Sequence, residues 1–581
     1  MTRLAIALLA AVVLFAGVAS AQPGGDASRQ PREMTVERLA DHWRSGPLEF
    51  GEVAATTSLL LALALLALCL GGGTADVETV GMDSTARLWL VGGIAVLAWS
   101  FLVRFVLTAP NILTDGGSGY GRVMRYVEGY GGVAVLVKML PAEWSAFMWR
   151  AMTVPRALAA LSPALLVWVA RGLGLGPAVG LLAGLALASV PAHAVLSNSD
   201  HLEGAMSSLQ LGGLALVLAA HRRQRVDLFA AGVALAAWAM WCRPEGALGF
   251  LPIAAAALFF PRGWWRRWEV LAVGAALVTF VGLRAAALAT SPMISVNSSP
   301  GVFSAVAWSS LLFSTVLVPY WLWAPAPFSI WLLRPRRALV VALAGLAAGL
   351  IPVYLRALYP DPANTHLEAL RYGVPAMPWL AFLSAVALDA ACRRLALLGG
   401  AAGRWSLFGL RAAVAIIVVS PVALHGEYLA RQYGHATSEQ AIRQLLAEVP
   451  AGCGVLVPDD FAEGVSIEIY DRYVNIAAEM SARGELPAIE VRPASELLQG
   501  KVDLQRCWTF LRGPYCYHSY AGRPAIACEQ LEARFELEQI AAVPIEFRHH
   551  RLVSGPDVRR APWFMEAMPI VLSRVVRPTQ G

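Results

Sequence analysis

Long apolar runs recur along this chain up to residue 424, each closed by a short polar or arginine-bearing stretch. They lie near 53–71, 88–108, 152–170, 176–194, 204–220, 227–241, 246–260, 269–289, 314–333, 338–355, 373–390 and 407–424. A helix needs about 20 apolar residues to cross a bilayer, so the pattern predicts a bundle of about twelve membrane helices. The runs 227–241 and 246–260 are short and are separated by Arg243, Pro244, Glu245 and Gly246. Such a break is tolerated at membrane depth where it is buried in protein or lines a cavity, which predicts two short helices meeting inside the bundle. The Trp- and Pro-rich stretch 305–333 reads as one segment or two.

Beyond 424 the pattern changes: charges become frequent and apolar runs shorten. ATSEQAIRQLLAEV has the spacing of an amphipathic helix; CGVLVPDDF, FELEQIAAV and PIVLSRVV read as strands, the first followed by a loop. The stretch 425–581 is long enough for one α/β domain. At the other end, Arg3, an apolar run and Ala19-Ser20-Ala21 form the pattern of a secretory signal, with an uncleaved anchor as the alternative. The expected organisation is therefore a signal over 1–21, an outer segment over 22–52, a membrane domain over 53–424 and the α/β domain over 425–581.

Composition supports the membrane class. Of 581 residues, 57% are hydrophobic and only 15% charged, against roughly 25% charged in soluble domains. The net charge of +6 is carried almost wholly by arginine, with Lys138 and Lys501 the lysines, and a surplus so modest does not point to nucleic acid. Its placement does inform topology. With an outside start, the loops 221–225, 261–268, 334–337 and 392–404 fall inside, and each holds three arginines, whereas 290–305 holds none. Arg29, Arg32, Arg38 and Arg44 sit outside in this scheme, which a signal peptide permits. The loops around Asp115, Asp200, Arg243 and Arg371, and the whole tail, then face outward. In an oxidising compartment Cys453, Cys507, Cys516 and Cys528 are expected to form at least one disulfide. Cys69, Cys242 and Cys392 read as small apolar packers. The tryptophans at 264, 265, 268, 321 and 323 read as an interfacial belt.

No phosphate-cradling G-x-x-x-x-G-K-[ST], no G-x-S-x-G elbow and no H-E-x-x-H occurs. The candidate chemistry lies in the outward loops. Asp115 is followed by Tyr120, Arg122, Arg125 and Glu128. SNSDHLEG holds Asp200, His201 and Glu203. CRPEG holds Arg243 and Glu245. THLEALRYGVPAMP holds His366, Glu368, Arg371 and Tyr372. An acidic residue at the mouth of a membrane bundle is costly to place, and so is a functional candidate. Blander roles stand beside these: a turn at Asp115-Gly116, a helix cap at Asp200, a snorkelling helix end at Arg243, and solvated loop positions at His366 and Glu368.

In this order, an acidic first outer loop, a Ser/Asp turn after the fourth span, RPEG between short helices and RYGVP opening a late span, the chain resembles the GT-C superfamily of polyprenyl-phosphate-sugar-dependent glycosyltransferases. That superfamily includes the protein O-mannosyltransferases and the lipid A aminoarabinose transferase. The resemblance covers roughly 88–424. It implies an all-α polytopic membrane bundle with a C-terminal periplasmic α/β domain, in a bacterial inner membrane, using a lipid-linked sugar donor and an acceptor the sequence does not specify. It departs at Gly116, where the family carries a second carboxylate: Glu128, Asp200 or Glu203 substitutes, or the geometry differs, or the site is degenerate.

The chemistry asks for such residues independently. A carboxylate takes the proton of an acceptor hydroxyl, and an arginine fork holds a departing phosphate. The expected assignment is Asp115 as base or metal ligand, with Asp200 as the second catalytic carboxylate. Arg371 and Arg243 are expected on the donor phosphate, and Tyr120, Glu128, Glu203 and Tyr372 along the substrate. No cofactor is required, with a divalent cation at Asp115 as an option. Two other classes compete: a transporter or lipid flippase, disfavoured by the lack of an inverted repeat and by few intramembrane charges, and a non-catalytic envelope assembly protein.

Overall fold

No proline breaks the largely apolar sequence between Ser84 and Leu107, and a single helix results. In the computed structural model it runs as α1, Ser84–Phe101, and finishes in a π-helical turn, Leu102–Leu107. The structure describes residues 84–108, 153–198, 202–289, 324–333, 336–357, 372–397, 400–424, 435–458, 483–513, 526–545 and 568–578, with scattered positions near 132–136, 426–429 and 473–481 and at Cys516. The bundle continues with α2 (Thr153–Leu173), α3 (Pro177–Ala188), α4 (Pro191–Ser197), α5 (Glu203–Arg223) and α6 (Val226–Cys242). Then follow α7 (Phe250–Ala257), α8 (Trp268–Ala289), α9 (Arg336–Ala357), α10 (Met377–Leu397) and α11 (Gly400–Leu424). Among the described residues, five helices are long and apolar enough to cross a membrane, or six if the bent pair α3 and α4 is one span. The expected run 53–71 and the first half of 314–333 lie outside the described residues.

Prolines set the breaks. Pro191 opens α4 after an extended Val190, and the two helices meet at 61°, because proline has no N–H for the preceding turn. The residue before a proline is pushed out of the helical region. Arg243, before Pro244, accordingly has φ −157° and ψ 148°, and a 3-10 turn, Pro244–Gly249, leads into α7. This is the broken pair that the sequence predicts.

Packing in the bundle relies on small residues. In lipid there is no water to expel between helices, so close van der Waals contact has to hold them. α5 lies between α2 and α6. Where α5 crosses α6, a Cβ on Gly213 would stand 2.6 Å from the carbonyl oxygen of Gly232, and the reverse is equally true. Only glycine permits that approach. At the opposite end from the site described below, Trp264 is buried and meets Phe260 edge-on at 5.2 Å, with His221 stacked on Phe260 at 4.8 Å. Trp264 is therefore a packing residue and not part of an interfacial belt. Trp265 and Trp268 are exposed, as a belt requires, and Trp321 and Trp323 lie outside the described residues. Cys242 is buried as expected, whereas Cys392 is half-buried.

The tail forms a separate core around one mixed sheet. Its strands are β1 (Gly454–Val457), β2 (Val491–Pro493), β3 (Trp508–Arg512), β4 (Phe535–Ile545) and β5 (Met568–Pro578), in the order β2-β1-β3-β5-β4. β1 pairs parallel to both β2 and β3; β5 pairs antiparallel to β3 and β4. The amphipathic run becomes helix α12, His435–Ala447, which buries Ile442, Leu445 and Leu446 against the sheet core. Each such side chain contributes about 1.5–3 kcal/mol if this face leaves water on folding.

At least one disulfide was expected among the four cysteines of the tail, and two form. Cys453–Cys507 ties the starts of the paired strands β1 and β3, with a Cα separation of 4.5 Å, and Cys516–Cys528 ties the chain after β3 to helix α14, at 5.5 Å. Here α13 is Ala494–Leu498 and α14 is Ile526–Arg534. On the surface Glu490 lies between Arg492 and Arg506. Burial acts to lower the pKa of Arg492, but the hydrogen bond and charge of Glu490, with Glu496, outweigh it and hold the guanidinium above its ordinary value.

Candidate functional site

Helices that alternate in direction bring every second connection to the same end of a bundle. One end here collects the finish of α1, the start of α2, the finish of α4, the start of α5, the finish of α6 and the approach to α10. Direct contacts tie these segments together.

The centre of the cluster is Arg243, 7% exposed. Its Nη1 stands 2.7 Å from Glu203 Oε1, while Nε and Nη2 donate to Glu245 Oε2 and Oε1 at 3.1 and 3.0 Å. Glu245 is thus held by the two-pronged fork that suits a carboxylate, and Glu203, 2% exposed, is held from the remaining side. The same guanidinium sits over the Tyr372 ring, 5.2 Å from its centroid, a cation–π arrangement. Glu203 opens α5, Arg243 follows α6, Glu245 lies in the 3-10 turn and Tyr372 precedes α10. The tight RPEG turn is what lets Arg243 and Glu245 face each other only two residues apart. Arg243 directs its donors at two carboxylates in this structure. One turn and more below, Gln210 donates to the Gly246 carbonyl at 3.1 Å, and Ser207, Gln210, Gly249, Gly345, Pro375 and Trp379 line a narrow cavity.

A second buried network adjoins the finish of α1. Arg104 is fully buried; its Nη1 donates to Ser100 Oγ at 2.8 Å and its Nη2 meets His193 Nδ1 at 2.5 Å. A guanidinium only donates, so Nδ1 is the acceptor and the His193 proton sits on Nε2. The last carbonyls of a helix lack partners within it. Here they are met from outside: Asn198 Nδ2 donates to the carbonyls of Arg104 and Thr108 at 2.5 and 3.0 Å, and Arg156 donates to the same two oxygens. Arg156 also donates to Asn198 Oδ1 at 3.1 Å and lies over the Phe105 ring at 4.2 Å. The chain thus leaves α1 from a fixed point, toward the segment that carries Asp115.

Of the residues expected from sequence, Glu203, Arg243 and Tyr372 come together. Asp115, Tyr120, Glu128, Asp200 and Arg371 lie outside the described residues, as do His366 and Glu368. The described neighbours in sequence, Thr108, Asn198, Leu202 and Tyr372, all belong to this end. The residue just before α5 is Leu202; the helix-cap reading of Asp200 lies outside the described residues with Asp200 itself. Among the described residues, two buried charges lie within the apolar runs. Arg104, in the π-helical turn that ends α1, and Arg284, in α8, are both buried, Arg284 5.0 Å from the Trp241 ring. Both were visible as arginines inside apolar runs, a signal of function or of a buried partner. His193 and Asn198 carried no comparable signal. Among the described residues, no three of His, Cys, Asp or Glu are grouped to hold a metal ion.

No family model matches the chain, and no curated protein does. Among solved structures the chain is similar to ArnT from Cupriavidus metallidurans in the apo state, at 14% identity and a TM-score of 0.49, covering 85% of this chain and 99% of that one. The same ArnT bound to undecaprenyl phosphate gives 14% identity and a TM-score of 0.46 over the same shares. The archaeal oligosaccharyltransferase AglB from Archaeoglobus fulgidus, in complex with an inhibitory peptide and a dolichol-phosphate, gives 11% identity and a TM-score of 0.44, covering 79% of this chain and 74% of that one.

Proposed function

We propose that this chain is an integral-membrane glycosyltransferase of the GT-C type, moving a sugar from a polyprenyl-phosphate donor to an acceptor at the outer face of a cell membrane. The observation that carries the reading is the convergence of Glu203, Arg243, Glu245 and Tyr372, from three separate segments, at the bundle end where the segments bearing Asp115, Asp200 and Arg371 begin or end. The motif order in the sequence supports the same class. With it go a bundle of about twelve spans in the inner membrane, a periplasmic α/β tail and a lipid-linked donor.

In this reading a carboxylate, Asp115, takes the proton from the acceptor hydroxyl. The freed oxygen attacks the anomeric carbon from the face opposite the phosphate, the bond from that carbon to the phosphate oxygen breaks, and the polyprenyl phosphate leaves with the electron pair. The sugar is inverted. Arg371 holds the phosphate. Arg243 serves as a positioning residue, fixing Glu203 and Glu245 and, through the Tyr372 ring, the segment that begins at Arg371. A divalent cation at Asp115 is compatible with this scheme.

The test is transfer of label from radiolabelled polyprenyl-phosphate sugars, hexose and pentose, in membranes holding the full chain. Asp115→Asn should lower turnover about 10²-fold or more with donor binding retained. Arg371→Ala should instead weaken donor affinity by about 1.5–3 kcal/mol, the scale of a charged hydrogen bond, so the two variants separate in kcat and KM. Normal turnover in Asp115→Asn would remove that residue as the base and move the role to Asp200. Absence of transfer from every donor would sink the class.

A further inference from the structure

Three arginines lie at helix ends on the opposite side of the bundle, and two of their guanidiniums meet there. Arg171 lies in the last turn of α2, Arg222 in the last turn of α5, and Arg337 in the first turn of α9. Arg337 and Arg222 meet over Gly174, just past α2, whose φ of 84° is in the left-handed region. A Cβ there would stand 2.8 Å from Arg337 Nη2 and 3.9 Å from Arg222 Nη2. Arg222 is within reach of the charges of both Arg337 and Arg171. Like charges this close repel even near a protein surface.

The carboxylates at this end are already engaged. Asp227 pairs with Arg225, Glu269 with Arg267 at 3.7 Å, and Asp389 with Arg393 at 2.7 Å. Among the described residues none is left for the three arginines. Among the described residues the buried Arg337 Nε has no hydrogen-bond partner, an arrangement that costs free energy unless something accepts from it. Topology accounts for basic loops but not for this convergence: Arg336, next in sequence and exposed, supplies the same loop charge without joining the cluster. α2 and α5 are long enough to cross a membrane, so their ends fall at headgroup depth.

We infer that Arg171, Arg222 and Arg337 form an anion site around Gly174 that takes the phosphodiester headgroup of an anionic phospholipid from the leaflet at this end. Guanidinium forks match phosphate oxygens in shape and charge, and basic pockets between membrane helices bind such headgroups. The left-handed glycine, having no Cβ, lets the Arg337 guanidinium come up against the backbone, and the Trp168 ring, 5.1 Å from the Arg171 guanidinium, holds that arginine by a cation–π contact. The site depends on the helices crossing a membrane and not on the transferase reading.

The experiment is native mass spectrometry of the full-length protein in detergent, titrated with phosphatidylglycerol or phosphatidylcholine. The protein should retain phosphatidylglycerol in preference. Arg337→Gln and, separately, Arg222→Gln should each weaken retention about fivefold, the effect of removing one charge near an anionic headgroup, while Arg336→Gln should not. Arg222 is exposed, so its variant removes charge without disturbing the core. Equal retention of the two lipids, or equal behaviour of R337Q, R222Q and R336Q, would overturn the proposal. Displacement of the lipid by inorganic phosphate would reassign the site to an anion from solution and overturn the headgroup assignment.

Discussion

The two ends of the bundle use arginine in opposite ways. At the site end Arg104, Arg156 and Arg243 are buried or half-buried, and each is engaged: by His193 and Ser100, by the last carbonyls of α1, and by Glu203 and Glu245. At the other end Arg171, Arg222 and Arg337 gather with no carboxylate paired to them among the described residues, in a region where exposed arginines such as Arg336 are common. A charge that folding buries has to be met by protein partners, because the alternative is several kcal/mol of lost hydration. A charge at headgroup depth is met by solvent and lipid. The site-end arginines are therefore part of the internal structure, whereas Arg171, Arg222 and Arg337 at the other end are placed to meet solvent and headgroups beside neighbours, such as Arg225 and Arg393, that have carboxylate partners.

Removing a charge at the site end should break this contrast most visibly. Arg243→Ala takes away the cation that both Glu203 and Glu245 face and should destabilise the bundle by about 3–5 kcal/mol, as expected when one partner of a buried pair is lost. Denaturant unfolding in micelles measures it, and a loss as small as that of a surface change would mean that the pair is solvated. The tail offers an internal reference. Cys453→Ser with Cys507→Ser should cost about 2–4 kcal/mol, confined to the sheet domain. It should exceed the loss from the Cys516–Cys528 pair, because the bridged separation is 54 residues against 12. Limited proteolysis should cut the tail first; cleavage beginning in the bundle would contradict two separate cores.

Smaller effects sharpen the same contrast. Asn198→Ala removes the amide that caps the Arg104 and Thr108 carbonyls and should cost about 1–3 kcal/mol, the penalty for buried acceptors left short of a donor. Hydrogen exchange over 103–108 should rise with it; unchanged protection there would show that Arg156 alone suffices. At the far end Arg336→Gln should change stability by about 0.5 kcal/mol or less, in the same unfolding assay. A large loss there would erase the difference between the two ends.

What the sequence determined by itself is the local part. Uninterrupted apolar runs placed α1, α2, α5, α8, α9 and α10, because helix formation in lipid depends only on the segment satisfying its own backbone. Pro244 placed the break after α6, since it forces Arg243 out of the helical region, and alternating apolar positions placed β4 and β5. The closeness of Arg243 to Glu245 was also legible, lying within one turn. The rest required the packed molecule. Glu203 reaches Arg243 across 40 positions of sequence and Arg104 reaches His193 across 89. Nothing in a helix that is apolar on all sides says which face turns toward which neighbour. Trp264 looked like a belt residue until the fold buried it among Phe229 and Phe260. Whether an arginine is buried and paired or left at the membrane surface was decided by helix packing, because burial and partner distance belong to the arrangement of segments and not to any one of them.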